Sequence, residues 1–312
     1  MRHIKLLTAL TIALMPATLT ACDQAGGTAE AAQTLTAARK GFATKLVQRT
    51  RDGTPAPLPP PGILERIQFP APLGSNVGYL TPRPKAPGRH PAVIWISGGD
   101  SNTIDNFWGP RDPANDQTAS AFRDAGIVTF YPALRGGNDN PGVREGFYGE
   151  LDDILAAADY LAKLDYVDSD RIYLAGHSTG GTMALLMAEY SRRFRDVFSF
   201  GPVADVRNYG GRFIFSDSKD DTEMRLRSPA YWLSSVRSPV FVFEGDGRGN
   251  ISELEVMRRL NHNPKIHFFA VPGRDHFSEL APVTALVAKK IVADTDGSGI
   301  SFDQAEVNAA GR

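Results

Sequence analysis

The chain reads as an α/β fold: a mostly parallel, twisted sheet with helices on both faces. Three observations predict it. Apolar runs of strand length alternate with segments of helical periodicity, the pattern of repeated βαβ units. The run Ala92 to Ile96 is almost continuously apolar, as strands buried on both faces are. Ser178 lies in Gly176-His177-Ser178-Thr179-Gly180-Gly181, between a β-type run (Ile172, Tyr173, Leu174, Ala175) and a helix-forming run (Met183 to Ala188). That is a strand, a tight turn and a helix in immediate succession.

Taken in order, Ile63 to Phe69 and Val77 to Leu80 predict two early strands arranged as a hairpin, and Ala92 to Ile96 the first buried parallel strand. A helix over Gln117 to Ala125 stops at Gly126 and passes into the strand Ile127 to Tyr131. From Glu150 to Leu164 the residues Leu151, Ile154, Leu155, Ala158, Leu161 and Ala162 fall at helical spacing. There follow a strand at Arg171 to Ala175, the helix after Ser178, and strands at Val197 to Phe200 and Val240 to Phe243. A helix from Ser252 to Leu260, a strand from Ile266 to Ala270 and a closing helix from Ser278 to Val292 complete the pattern, with no internal repeat. Upstream, residues 23 to 62 are rich in Ala, Thr, Gly and Gln and end in Pro55-Ala56-Pro57-Leu58-Pro59-Pro60-Pro61-Gly62, a composition that makes an extended spacer. A short helix fits Leu35 to Val47, but a solvated tether is the favoured reading there. The expected division is therefore 1–21 signal peptide, 22–62 linker, 63–293 globular α/β domain and 294–312 solvated tail.

With 312 residues and 42% hydrophobic content the chain can bury one large core. Lys and Arg total 34 against 35 Asp and Glu, so the net charge of −1 excludes an electrostatic case for nucleic acid. The single cysteine, Cys22, excludes an intrachain disulfide and a cysteine-based zinc cluster. Its surroundings carry the information. Arg2, His3 and Lys5 form a basic start, Leu6 to Met15 an apolar stretch too short to span a bilayer, and Leu19-Thr20-Ala21-Cys22 resembles the lipobox of bacterial lipoproteins. That resemblance implies cleavage before Cys22, acylation of Cys22, and a protein anchored to the bacterial cell envelope facing the periplasm or exterior. Asp23 resembles the signal that keeps such proteins in the inner membrane of Gram-negative bacteria.

A serine on so sharp a turn suits nucleophilic attack, which also requires a base, a group orienting that base, and donors for an oxyanion. In open α/β sheets these gather at the carboxyl ends of the strands. His276, in Gly273-Arg274-Asp275-His276-Phe277 after the strand Ile266 to Ala270, is the candidate base. The other histidines fit poorly: His3 is in the leader, His90 precedes a strand, His177 lies inside the turn, and His262 and His267 belong to structural elements. Ser97-Gly98-Gly99-Asp100 follows the first buried strand and offers the Gly99 N–H as one oxyanion donor; Thr179 N–H, just after the serine, is the second.

On these motifs residues 91 to 292 resemble the catalytic domain of the prolyl oligopeptidase (S9-like) branch of the α/β-hydrolases. The likeness also rests on Leu134-Arg135-Gly136-Gly137-Asn138, on Asp152-Asp153 at a helix start before Tyr166-Val167-Asp168, and on Arg171-Ile172 leading into the turn. It implies a serine hydrolase cleaving carboxylic ester or peptide bonds of a small molecule or peptide, with no cofactor. Family members often carry an N-terminal β-propeller, for which 312 residues leave no room beside the catalytic domain. The acid departs from the family pattern. Where the family has His-Gly-x-x-Asp-x-x-Val, this chain has Glu244-Gly245-Asp246-Gly247-Arg248-Gly249-Asn250-Ile251, with Arg248 at the aspartate's place. Asp246 is the first candidate, Glu244 at the strand end the second, and Asp205 the third. The missing acid also supports a rival reading, a non-catalytic binding protein of the same fold at the cell envelope. Asp100, Trp108, Arg135 and Asn138 lie on strand-end loops, Arg135 being read as a structural tie. Residues 208 to 228 form either an access gate or a solvated charged loop, the latter favoured. Asp294-Thr295-Asp296-Gly297-Ser298-Gly299 resembles half of an EF-hand loop but lacks the acidic twelfth position, so a solvated tail is the expectation there.

Overall fold

The computed structural model describes residues 1, 33–109, 112–295 and 297–312. Cys22, Asp23 and the basic and apolar leader fall outside the described residues. Residues 33–312 build one eight-stranded sheet in the order β1-β2-β4-β3-β5-β6-β7-β8. Its strands are β1 (Glu65–Ala71), β2 (Gly74–Leu80), β3 (His90–Ile96), β4 (Val128–Pro132), β5 (Val167–His177), β6 (Val197–Phe200), β7 (Val240–Gly245) and β8 (Ile266–Val271). The hairpin of β1 and β2 is antiparallel, as is β2 against β4, and every pairing from β4 through β3 to β8 is parallel. The longer helices are α3 (Glu150–Leu161), α4 (Thr179–Tyr190), α6 (Ile251–Leu260) and α7 (Leu280–Ala293), with the short α1 (Leu35–Arg39), α2 (Ser120–Asp124), α5 (Asp221–Arg225) and α8 (Gln304–Ala310) between and around them.

The two-residue period of a strand feeds two separate cores. From β3, Ala92, Ile94 and Ile96 join one cluster with α3 and α4, while Val93 and Trp95 join the other with α2 and α7. All these strand residues are within 1% of complete burial, which is why the run carries no polar residue.

Three stretches differ from the sequence expectation. Residues 33–62 are not a free tether. Leu35 is fully buried, Leu46 bridges Ser216, Asp52 N–H donates to Gly136 O at 2.8 Å, and Tyr79 Oη donates to Pro57 O at 2.7 Å. The spacer composition is real, but its main-chain groups find partners on the domain surface and so it is docked. The C-terminal stretch is likewise not a solvated tail. Asp303 and Glu306 form a reciprocal capping box that starts α8, Val307 is buried, and Lys290 Nζ meets Glu306 at 2.6 Å. Asp294, the first residue of the EF-hand-like stretch, is turned inward, accepting from Tyr173 Oη at 2.6 Å and pairing with Arg195; Asp296 lies outside the described residues. Finally, residues 208–228 are only half a charged loop. Asp217, Lys219, Asp220 and Asp221 are exposed, yet Glu223 and Arg227 form a buried pair at 2.5 Å, to which Thr44 adds a hydrogen bond at 2.9 Å.

Arg135 is the structural tie that its sequence context predicts. Nε and Nη2 both reach Asp153 at 3.0 Å and Nη1 reaches Glu145 at 2.7 Å, with Arg135 and Asp153 almost wholly buried. Asp153→Ala leaves a guanidinium buried against half its counter-charge, and a loss of about 3–5 kcal/mol in unfolding free energy is expected from urea titration. A loss below ~1 kcal/mol would show the pair to be dispensable.

Candidate active site

Ser178 stands between β5 and α4 with φ 53° and ψ −115°, a region that L-residues avoid at a cost of about 1–3 kcal/mol. The surroundings hold it there. Its N–H donates to Phe200 O of β6 at 2.7 Å, and its carbonyl accepts Thr182 N–H at 2.8 Å to open the helix. The helix begins so close to the sheet that a Cβ on Gly180 would lie 2.2 Å from Ile96 O and one on Gly176 2.4 Å from Gly180 O. Side chains are therefore excluded on both sides of the serine. The Tyr209 hydroxyl, raised well above its ordinary range by burial, lies 2.9 Å from Thr182 Oγ1.

His276 follows β8 on a turn fixed by its N–H donating to Arg248 O at 2.8 Å. Its Nδ1 lies 2.9 Å from Glu244 Oε2, and Glu244 is fully buried at the end of β7. A carboxylate there accepts a hydrogen bond from Nδ1–H and leaves Nε2 as the basic nitrogen. The pair is wedged between two glycines: a Cβ on Gly201 would fall 2.6 Å from His276 Nδ1, and one on Gly249 2.8 Å from Glu244 Oε1.

Asp246, the first-ranked acid, is not the partner of His276. It is exposed and its Oδ1 accepts Gly273 N–H at 2.8 Å, tying two loops. The glycine-rich loop is exposed after Gly245, and the short Asp246 side chain on it is held by Gly273. The third candidate, Asp205, caps a 3₁₀ turn and pairs with Arg207 at 2.9 Å. Sequence reasoning missed Glu279 altogether. Its carboxyl is buried and bonded to no described residue, and burial together with the Glu244 charge pushes it well above the carboxylate range. An acidic residue three positions after His276 on an apolar helix start was the available signal.

The candidate oxyanion donors meet across a short polar stitch. Gly99 has φ 73°, its carbonyl accepts Thr179 Oγ1 at 2.9 Å, and Ser101 Oγ lies 2.5 Å from the same hydroxyl. Thr179 opens α4, where its N–H needs no intrahelical acceptor. Of the other loop residues, Asp100 pairs with Arg144 at 2.6 Å, Asn138 exchanges hydrogen bonds with the Ile104 main chain, and Trp108 packs edge-on to Tyr79. Two spaces flank these donors: a cavity of about 20 Å³ closed by Phe147, Met183, Phe213 and Phe215, and a cleft of about 400 Å³ lined by Ser97, Gly98, Asp105, Phe107 and Gln117. Among the described residues no cluster of His, Cys, Asp and Glu is arranged to hold a metal ion.

His177, set aside on sequence grounds, lies with its ring centroid 4.5 Å from that of His276. Complete burial, and then the neighbouring His276, push it down to about 3. Between that value and the ~6.5 of an unfolded histidine the unfolded chain binds the extra proton, so stability falls as pH drops through this window and is unaffected above it. Replacement by Gln, which has no titratable group, is expected to flatten the decline in unfolding free energy between pH 7 and pH 4.5 measured by urea titration; an unchanged pH slope would refute the assignment.

A model described as "Prolyl oligopeptidase family" matches residues 113–247. Among curated proteins, "Uncharacterized peptidase YtmA" of Bacillus subtilis is 27% identical over 216 residues, covering 61% of this chain and 80% of that protein. The "2,6-dihydropseudooxynicotine hydrolase" of Paenarthrobacter nicotinovorans is 30% identical over 129 residues, 39% of this chain but only 31% of the relative. Among solved structures, an esterase of Pyrobaculum calidifontis superposes with a TM-score of 0.58 at 20% identity, covering 75% of this chain and 86% of the esterase. The fold is that of the α/β-hydrolases, and the chain is a serine hydrolase.

Proposed function

We propose that the protein cleaves a carboxylic ester or peptide bond by way of an acyl-enzyme on Ser178, with His276 as base and Glu244 as the group that orients it. The observation that carries this reading is the 2.9 Å contact between His276 Nδ1 and the buried Glu244 carboxylate, on the same sheet edge as a serine held at φ 53°. Ser178 Oγ attacks the substrate carbonyl carbon while its proton passes to His276 Nε2. The N–H groups of Gly99 and Thr179 receive the oxyanion. Collapse expels an alcohol or amine, which takes the proton from His276, and water repeats the sequence to release the acid. The rival, a non-catalytic binding protein, drew its support from Arg248 standing where the family has its aspartate. Glu244 beside the imidazole supplies a carboxylate in its stead, which favours the catalytic reading.

The family match, the peptidase and hydrolase relatives and the esterase neighbour leave ester and amide as the two substrate classes. Turnover of p-nitrophenyl acetate and of short peptide anilides tests both. Ser178→Ala is expected to abolish fluorophosphonate labelling. Glu244→Gln is expected to lower kcat by roughly 10²–10⁴, whereas Asp246→Asn leaves it within about threefold. The reverse ranking of those two variants would overturn the assignment of the acid.

The N-terminal motif supports a further element of the reading: an exported protein anchored through acylated Cys22. The full chain produced in a bacterial host fed an alkynyl fatty acid should acquire the label, and Cys22→Ser should not. Equal labelling of both would refute the anchor.

A further inference from the structure

Four groups from separate parts of the chain form one continuous line of hydrogen bonds beneath Ser178. His177 Nε2 lies 2.8 Å from the main-chain carbonyl of His276, which only accepts, so Nε2 carries a proton. A fully buried, neutral imidazole has one proton to give, and Nδ1 is therefore an acceptor. Gln117 Nε2 lies 2.9 Å from that Nδ1 and 2.8 Å from Asn115 Oδ1 and donates to both, while Gln117 Oε1, 3.2 Å from the same Nδ1, faces a ring nitrogen that has no proton to give it. The amide's other end is thereby fixed: Gln117 Oε1 accepts Gly98 N–H at 3.1 Å. Gln117 itself is pinned, since its carbonyl accepts Trp95 Nε1–H at 2.8 Å.

We propose that Gln117 and His177 are positioning residues that hold the Gly98–Gly99 oxyanion loop and the His276 turn at a set spacing across Ser178. The line runs Gly98 N–H to Gln117, Gln117 to His177, His177 to the His276 carbonyl, with every donor matched to one acceptor. Its space is closed as well as its bonds: a Cβ on Gly98 would lie 2.7 Å from His177 Nδ1 and 3.2 Å from Ser178 Cβ. A shift of the His276 turn therefore reaches the oxyanion loop through two rigid planar groups. Neither residue touches the reacting atoms, so their effect falls on the alignment of base and oxyanion donors.

This inference rests on the serine hydrolase reading for its kinetic arm but not for its spectroscopic one. With only six histidines in the chain, selective ¹⁵N labelling resolves the ring tautomers. In the unsubstituted protein His177 is expected to be the neutral Nε2–H tautomer from pH 5 to pH 8, and in Gln117→Leu to lose that single form. Gln117→Leu and His177→Leu are expected to lower kcat for p-nitrophenyl acetate about tenfold to a hundredfold with KM changed less than about threefold. His177→Gln, whose amide nitrogen takes the place of Nε2, recovers most of the loss. An Nδ1–H tautomer at His177, or full kcat in Gln117→Leu, overturns the proposal. If Gln117→Leu does not fold, the wild-type tautomer decides alone. Failure of the unsubstituted protein to react with fluorophosphonate would instead count against the serine hydrolase reading, leaving the tautomer result intact.

Discussion

The crowding of the first turn of α4 against the sheet is the constraint on which the site depends. Main-chain oxygens of β3 and β6 come so near that positions 180 and 181 have no room for a side chain: a Cβ would stand 2.2 Å from Ile96 O in one case and 2.3 Å from Phe200 O in the other. Only at that distance does the chain turn from strand to helix in one residue, and only then does Ser178 stand clear of the sheet edge. The same closeness aims the N-terminal end of α4 over the ends of β3 and β6, where a developing negative charge is stabilised by unpaired N–H groups. The strain at Ser178 is offset by packing elsewhere. Two clusters of fully buried side chains on either face of β3 and β5 leave those strands no freedom to relax.

Parallel strands then bring the rest. Because β5, β6, β7 and β8 lie side by side in the same direction, their carboxyl ends place Ser178, Gly201, Glu244 and the turn before His276 along one edge. Glu244 is a strand residue rather than a loop residue, and its position is as rigid as the sheet. Gly201 and Gly249 give it and His276 the space to meet, which explains why a residue with any side chain is excluded at both positions.

The strands and long helices were legible in the sequence because burial on two faces leaves an unmistakable apolar run, and β3 and β7 fall within two residues of their expected limits. Elements held by local polar contacts were harder to see. The capping box of Asp303 and Glu306 was present in the sequence, yet the acidic, glycine-containing stretch before it reads as solvent-exposed. The acid was misplaced for a different reason. Ranking by family spacing counts along the loop, whereas the physical question is which carboxylate cannot remain unpaired. Glu244 closes the wholly buried strand Val240–Gly245, and a carboxylate in that position demands a partner. Asp246, on an exposed glycine-rich loop, makes no such demand. Gln117 gave no sequence signal, since its importance comes from a neighbour sixty residues away.

The charges around the catalytic pair follow from the same burial. In the proposed reaction, protonating His276 places a positive charge next to Glu244, and any other charge nearby changes the cost of that step. His177 is close enough that two imidazolium rings at the 4.5 Å centroid spacing would repel by roughly 3–4 kcal/mol at an effective dielectric near 20. Burial keeps His177 neutral and removes that penalty. Near Glu244, a second ionised carboxylate at Glu279 would add to the negative charge around the imidazolium and make it reluctant to return its proton to the leaving group. Burial and the Glu244 charge push Glu279 well above the carboxylate range instead, which favours its neutral form. His276 is thereby left beside the Glu244 carboxylate, with the buried His177 ring held neutral. That balance suits a group that must both take and give a proton in each half of the reaction.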